Sequence, residues 1–149
     1  MIVESCNTWL TQYVRDCGAV AGTVHLQEND GLRLVAAVNI PAKVQQVVEW
    51  VPSGKGMAGQ ALLRGEPIFT CNLKDDSSGA VRPGAKAVDA EAAIALPVRD
   101  RAEAIVAVVG IAFAHERSFS SEDIGTYVAK ATSLVSQLSR GSSASAIAD

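Results

Sequence analysis

The chain has 149 residues, of which 48% are apolar, 5% aromatic and 19% charged, with a formal net charge of −3. That length fits one domain of roughly 100–200 residues and leaves no room for separate cofactor and substrate domains. The mild acidity argues against a nucleic-acid surface, which would carry a clustered basic patch, and three cysteines without a CxxC pair exclude a disulfide scaffold.

Residues 2–17 place Ile2, Cys6, Trp9 and Tyr13 at helical spacing, with Val3, Leu10, Val14 and Cys17 in a second row beside them. This predicts a helix whose apolar face is wider than one contact needs, ended by Gly18. Two strand-like runs, 19–27 and 32–39, flank Glu28-Asn29-Asp30-Gly31, where Asp-Gly is the hairpin signal. Alternation sets Val20, Gly22, Val24 and Leu26 on one face and Thr23, His25 and Gln27 on the other. A short helix over 42–48, limited by Pro52, precedes a glycine turn, a second short helix from about Gly56 to Gly65, and a short strand over 66–71. Residues 72–91 are polar, with Gly, Ser and Pro, and read as a long connection with a helical turn near 85–89. Loops of that length are usually lids, binding segments or disordered stretches.

The strongest strand signal comes last. Residues 92–99 and 104–114 flank Asp100-Arg101-Ala102-Glu103, and the second run is apolar on both alternating sets, as a central strand covered by helices requires. Its small residues, with those of its partner (Ala93, Ala95, Ala107, Gly110, Ala112), are expected to let helices lie flat on the sheet. Ser120 and Asp123 form a short-armed capping box for a final helix, with Phe119 as its hydrophobic staple. Ile124, Tyr127, Ala131, Leu134 and Leu138 give that helix a heptad row, broadened by Val128 and Val135. The expected fold is α+β: a largely antiparallel sheet with the terminal helices on one face and the short helices and long connection on the other. The domain is expected over 1–140, with 141–149 a disordered tail.

Few motifs point to chemistry. Gly54, Gly56 and Gly59 spell GxGxxG, but no buried strand precedes them and the helix lasts barely two turns. A tight turn with close helix-on-sheet packing is therefore preferred over a dinucleotide site. His25 and His115 have no second ligand at a recognisable spacing and read as structural. Asp75 with Asp76, and Asp89 with Glu91, read as solvated loop carboxylates. Cys71 ends a strand where the connection begins; it reads as a small buried hydrophobe, with a redox nucleophile as the sharper alternative. No charged-then-apolar leader opens the sequence and no apolar run reaches the ~18 residues of a membrane span, so a cytoplasmic protein is expected.

The string Gly54-Lys55-Gly56-Met57-Ala58-Gly59-Gln60-Ala61, followed by Gly65-Glu66-Pro67-Ile68, resembles the glycine turn, helix and strand of GAF domains. Ala95-Leu96-Pro97-Val98, Ala107-Val108-Val109-Gly110-Ile111 and Phe119-Ser120-Ser121-Glu122-Asp123-Ile124 are similar to that family's paired strands and last-helix entry. The resemblance runs from about Ile2 to Leu138 and implies a sensory or regulatory module with a ligand pocket between the sheet and the helical connection. It also implies homodimerisation through the terminal helices, with Ile2, Cys6, Trp9, Tyr13, Ile124, Tyr127, Leu134 and Leu138 the contact candidates. Among subfamilies, free methionine sulfoxide reductases carry a cysteine just before the last glycine of the turn, where this chain has Ala58; that weakens the thiol-enzyme alternative. Bilin-binding and cyclic-nucleotide patterns have no counterpart. The expectation is a non-enzymatic, cytoplasmic GAF module in signalling or transcriptional control, with its ligand and cofactor unnamed; a structural dimerisation module is the further alternative. Expected pocket residues are Trp50 and Phe69 for stacking, Asn72 for polar orientation, and Met57, Cys71 and Leu96 for apolar wall, with 72–91 as the lid.

Overall fold

Both expected hairpins form, and they join through their inner strands into one sheet. The computed structural model describes residues 2–70, 91–115 and 118–138. Residues 71–90, which include most of the expected connection, and the tail 141–149 lie outside the described residues. The six strands are β1 (Ala21–Glu28), β2 (Gly31–Val38), β3 (Trp50–Pro52), β4 (Ile68–Thr70), β5 (Ala92–Arg99) and β6 (Ile105–Phe113). Their order is β3-β2-β1-β6-β5-β4, and every pairing is antiparallel. The described helices are α1 (Ile2–Asp16), α2 (Ala42–Val47), α3 (Gly56–Arg64) and α4 (Ser121–Ala131).

The register of the three inner strands sorts residues by size. On one face, Gly22–Ile111–Ile94 and Val24–Val109–Leu96 lie abreast across β1, β6 and β5. Helices α1 and α4 cover this face, packing Cys6, Leu10, Tyr13, Val14, Tyr127 and Ala131 onto it as the main core, which Leu134 joins from beyond the end of α4. On the other face, Ala21–Ala112–Ala93 and Thr23–Gly110–Ala95 lie abreast, followed by His25–Val108–Pro97. Here α2 and α3 contribute Val44, Met57, Ala58, Ala61 and Leu62. A strand residue and its neighbours two places away share a face, so this segregation is written in the odd and even positions of three strands. The small residues of the late hairpin divide between two helix-covered faces: Ala107 joins the core beneath α1 and α4, while Ala93, Ala95 and Ala112 pack against Val44, Met57, Ala58, Ala61 and Leu62 of α2 and α3.

Three local features depart from the sequence expectation. The first hairpin turns on Asn29-Asp30, with Glu28 opposite Gly31 and Asn29 at φ 51°, one residue earlier than an Asp-Gly turn. Gly31 is needed for a different reason: a Cβ there would stand 2.6 Å from the Trp50 ring and 2.7 Å from the Val51 carbonyl. That contact belongs to β3, a three-residue edge strand too short to leave a periodic signal. The final helix, expected to run unbroken to Leu138, stops at Ala131, and a separate helical stretch follows over 134–138. At the break, Thr132 Oγ1 donates to the Ala129 carbonyl (2.6 Å) and Ser133 Oγ donates to the Lys130 carbonyl (2.9 Å). Hydroxyls that take main-chain acceptors in this way compete with the helix ladder. The capping box at the other end of α4 is complete: Asp123 N–H donates to Ser120 Oγ, and Ser120 N–H donates to the Asp123 carboxylate.

Candidate functional site

A cavity of about 140 Å³ lies between the small-residue face of the sheet and the α2–α3 layer. Its floor is the two rows of small side chains, Ala21, Ala112, Ala93 and Thr23, Gly110, Ala95. Its walls are Ile40, Val44 and Val48 from α2 and its flanks, Val51 from β3, and Lys55, Gly56, Met57 and Ala58 from the start of α3. The space exists because the floor carries at most a β-methyl or a threonine, while helices set at a normal packing distance leave the volume of larger side chains unfilled.

The glycine turn brings α3 close to one side of this space. Gly54 and Gly56 hold positive φ (87° and 64°), and Gly65 ends α3 in the left-handed region at 69°. Gly59 serves close approach: a Cβ there would stand 2.5 Å from the Pro52 carbonyl, so α3 sits directly against β3. The GxGxxG pattern is thus a turn and a packing contact, and it sets Met57 and Ala58 at the cavity wall.

Against this apolar lining, one polar side chain is buried. His25 is 3% exposed, and its Nε2 is 2.8 Å from the Val48 carbonyl at the end of α2. A carbonyl only accepts, so Nε2 carries the proton and Nδ1 presents a lone pair. Nδ1 is buried without a hydrogen-bond partner among the described residues. Burial pushes the imidazole pKa below its usual value near 6.5, and the Val48 bond opposes this only in part, so the ring is neutral at pH 7. Thr23, one position along the same face, adds a hydroxyl, and Lys55 stands exposed at the rim. Among the described residues no group of three or more His, Cys, Asp or Glu side chains converges on a metal position.

Of the residues expected to line a pocket, Met57 lines the cavity; Cys71 and Asn72 lie outside the described residues. Trp50, Phe69 and Leu96 are not brought to it. Trp50 alternates with the cavity-lining Val51 and is turned across Gly31, 43% exposed. Phe69 alternates with Ile68, is 44% exposed, and meets Phe119 edge-to-face at 5.4 Å. Leu96 is fully buried in the core beneath α1 and α4. Each is one position out of phase with the cavity, and in a strand one position is the opposite face. The floor residues and His25 were visible as an alternating set of small or polar positions, but a search for large stacking side chains passes over them.

The terminal helices use much of their apolar width on their own chain. Cys6, Tyr13, Tyr127 and Leu134 are buried, while Trp9, Ile124 and Leu138 pack against the core half-buried. Tyr13 Oη donates to the Tyr127 carbonyl (2.8 Å), and Trp9 stacks on Tyr13 at 4.7 Å while its Nε1 donates to Ser133 Oγ (2.8 Å). Burial, with Cys17 adding to it, raises the Tyr13 pKa and keeps that phenol protonated.

Layer order and sheet topology, with a cavity between the sheet and the short helices, define an α+β sandwich domain. A family model described as GAF domain matches residues 7–137, and the chain belongs to that family. Its fold is shared with the GAF domain of a phosphoenolpyruvate-protein phosphotransferase from Coxiella burnetii (17% identity, TM-score 0.78, 97% of this chain and 86% of that one). It is similar also to the second GAF domain of DevS from Mycobacterium smegmatis (18% identity, TM-score 0.69, 96% and 97%). A type II free methionine-R-sulfoxide reductase from Thermoplasma acidophilum has the same fold (17% identity, TM-score 0.69, 92% and 94%). No curated protein matches the chain by sequence. No described helix is long and apolar enough to cross a membrane.

Proposed function

We propose that this GAF domain is a non-catalytic, cytoplasmic sensory or regulatory module that binds a small, largely apolar molecule in signal transduction or transcriptional control. The observation that carries this is the cavity over a floor of alanine, glycine and threonine: space bounded by packed elements, with one buried polar residue, His25, in its lining. Ala58 at the cavity wall, where free methionine sulfoxide reductases carry a cysteine, supports binding over thiol chemistry. A ligand favours the domain state to which it binds more tightly, and contacts to α2 and α3 supply that difference. Homodimerisation through the half-buried row Trp9, Ile124, Val128, Val135 and Leu138 belongs to the same proposal.

Native mass spectrometry of the purified chain, with thermal-shift measurements across a panel of small apolar metabolites, tests it. The expected result is a dimer with a retained molecule, or a raised melting temperature for a subset of compounds, lost in Ala112→Leu. A monomer refutes the dimer. No retained mass and no shift across the panel refutes sensing at this cavity and favours a purely structural module.

A further inference from the structure

The unpartnered Nδ1 of His25 narrows the ligand class. Unpaired buried polar atoms are uncommon because each forfeits its bonds to water, a cost recovered when a partner arrives. Here the atom is an acceptor, since the Val48 carbonyl fixes the proton on Nε2. The imidazole lines the cavity, and the surrounding walls are Val44, Val48, Val51, Ile40 and Met57, which offer contact without hydrogen bonds. A volume of about 140 Å³ is close to the ~150 Å³ engineered apolar cavity that accepts a benzene molecule.

Resting on the sensing function proposed above, we propose that the cavity takes a single-ring or similarly compact apolar molecule bearing one hydroxyl or N–H, which donates to His25 Nδ1. Shape and apolar contact hold the body of the ligand; the histidine selects for the donor. A site with a buried acceptor rejects the isosteric molecule without a donor, because the acceptor is then left unpaired.

Phenol and toluene are the test pair, being near in size and differing in the donor. Titrations of the full chain, followed by two-dimensional amide NMR, give both affinities in the wild type and in two variants. His25→Gln places an amide nitrogen near the Nε2 position and keeps the bond to Val48, but removes the acceptor near the ring's δ position. His25→Asn places an oxygen near Nδ1. The phenol-to-toluene affinity ratio is expected to fall on the order of tenfold in His25→Gln and to be retained in His25→Asn. Unchanged toluene binding in the variants shows that their cavity is intact. In the wild type, which needs no variant to fold, the His25 Nδ1 nitrogen-15 resonance is expected to move with phenol and not with toluene.

A ratio unchanged in His25→Gln, or an Nδ1 resonance indifferent to phenol, overturns the proposal while toluene binding leaves the sensing cavity standing. Benzoate binding more tightly than phenol also overturns it, because Lys55 at the rim and not His25 then selects the ligand. Binding of neither probe removes the proposal together with ligand sensing at this cavity.

Discussion

The two faces of the sheet should respond in opposite ways to added side-chain volume. In Ala112→Leu the three added carbons enter the cavity from its floor, between Ala21 and Ala93. Burying them is worth up to roughly 2.4 kcal/mol at ~0.8 kcal/mol per methylene, against a rotamer cost of about 0.5–1 kcal/mol. The net expectation is a gain of about 1–2 kcal/mol, or a melting temperature raised by roughly 2–8 °C for a domain of this size. In Gly22→Ala one carbon enters the opposite face. Its Cβ would lie 2.7 Å from Val14 Cγ2 and 3.1 Å from both Leu10 Cδ1 and the Gly110 carbonyl. Overpacking of that kind costs about 1–3 kcal/mol, offset by about 0.5–1 kcal/mol from losing a strand glycine, so a net loss of about 1–2 kcal/mol is expected. Urea unfolding of the wild type and both variants, with m-values compared, measures the two changes on one scale. If Ala112→Leu loses stability as Gly22→Ala does, the space over the floor is already filled and the cavity argument is wrong.

His25 should make the domain acid-sensitive in a defined direction. Its folded pKa is lowered below the unfolded value near 6.5, so the unfolded state binds more protons between the two values. Its contribution is fully present above pH ~6.5 and is lost as pH falls through that window; urea midpoints for wild type and His25→Gln should differ in pH slope there and run parallel above it. Parallel slopes throughout would show that the imidazole is not held neutral by burial. Tyr13→Phe removes the bond that ties α1 to α4 and leaves the Tyr127 carbonyl without that donor. A loss of about 1–3 kcal/mol is expected in urea unfolding, and a change under 0.5 kcal/mol would show that the carbonyl is otherwise satisfied.

Much of the fold was legible because strands and helices bury surfaces with different periods. The 4-3-4 spacing of Ile2, Cys6, Trp9 and Tyr13, the capping residues Ser120 and Asp123, and the doubly apolar run of β6 each correspond to an element found in the structure. Features that depend on contacts between distant residues were less legible. An Asp-Gly pair reads Gly31 as a turn residue, whereas the Trp50 ring requires it; Trp50 itself belongs to a strand too short to show alternation. The candidate site was the least legible part. The sequence points to Trp50 and Phe69 as stacking surfaces and Leu96 as apolar wall, yet a cavity is marked by what is missing, and the informative residues are Ala93, Ala95, Gly110 and Ala112. Alternation alone sets His25 on a face with Thr23, but the missing partner of its Nδ1 emerges only when α2 is in place to fix its other nitrogen.

The pairing of β1 with β6 joins residues 21–26 to residues 107–112. Each hairpin can close from within a short stretch of chain, but the floor of the cavity cannot, because its rows are completed only when two segments far apart in sequence come together. Contacts of that span pay loop-closure entropy before they yield stability, which places floor assembly late in folding. The binding surface is therefore a property of the finished topology: the first hairpin supplies one residue of each row and the second hairpin two, and no fragment that separates them retains a pocket.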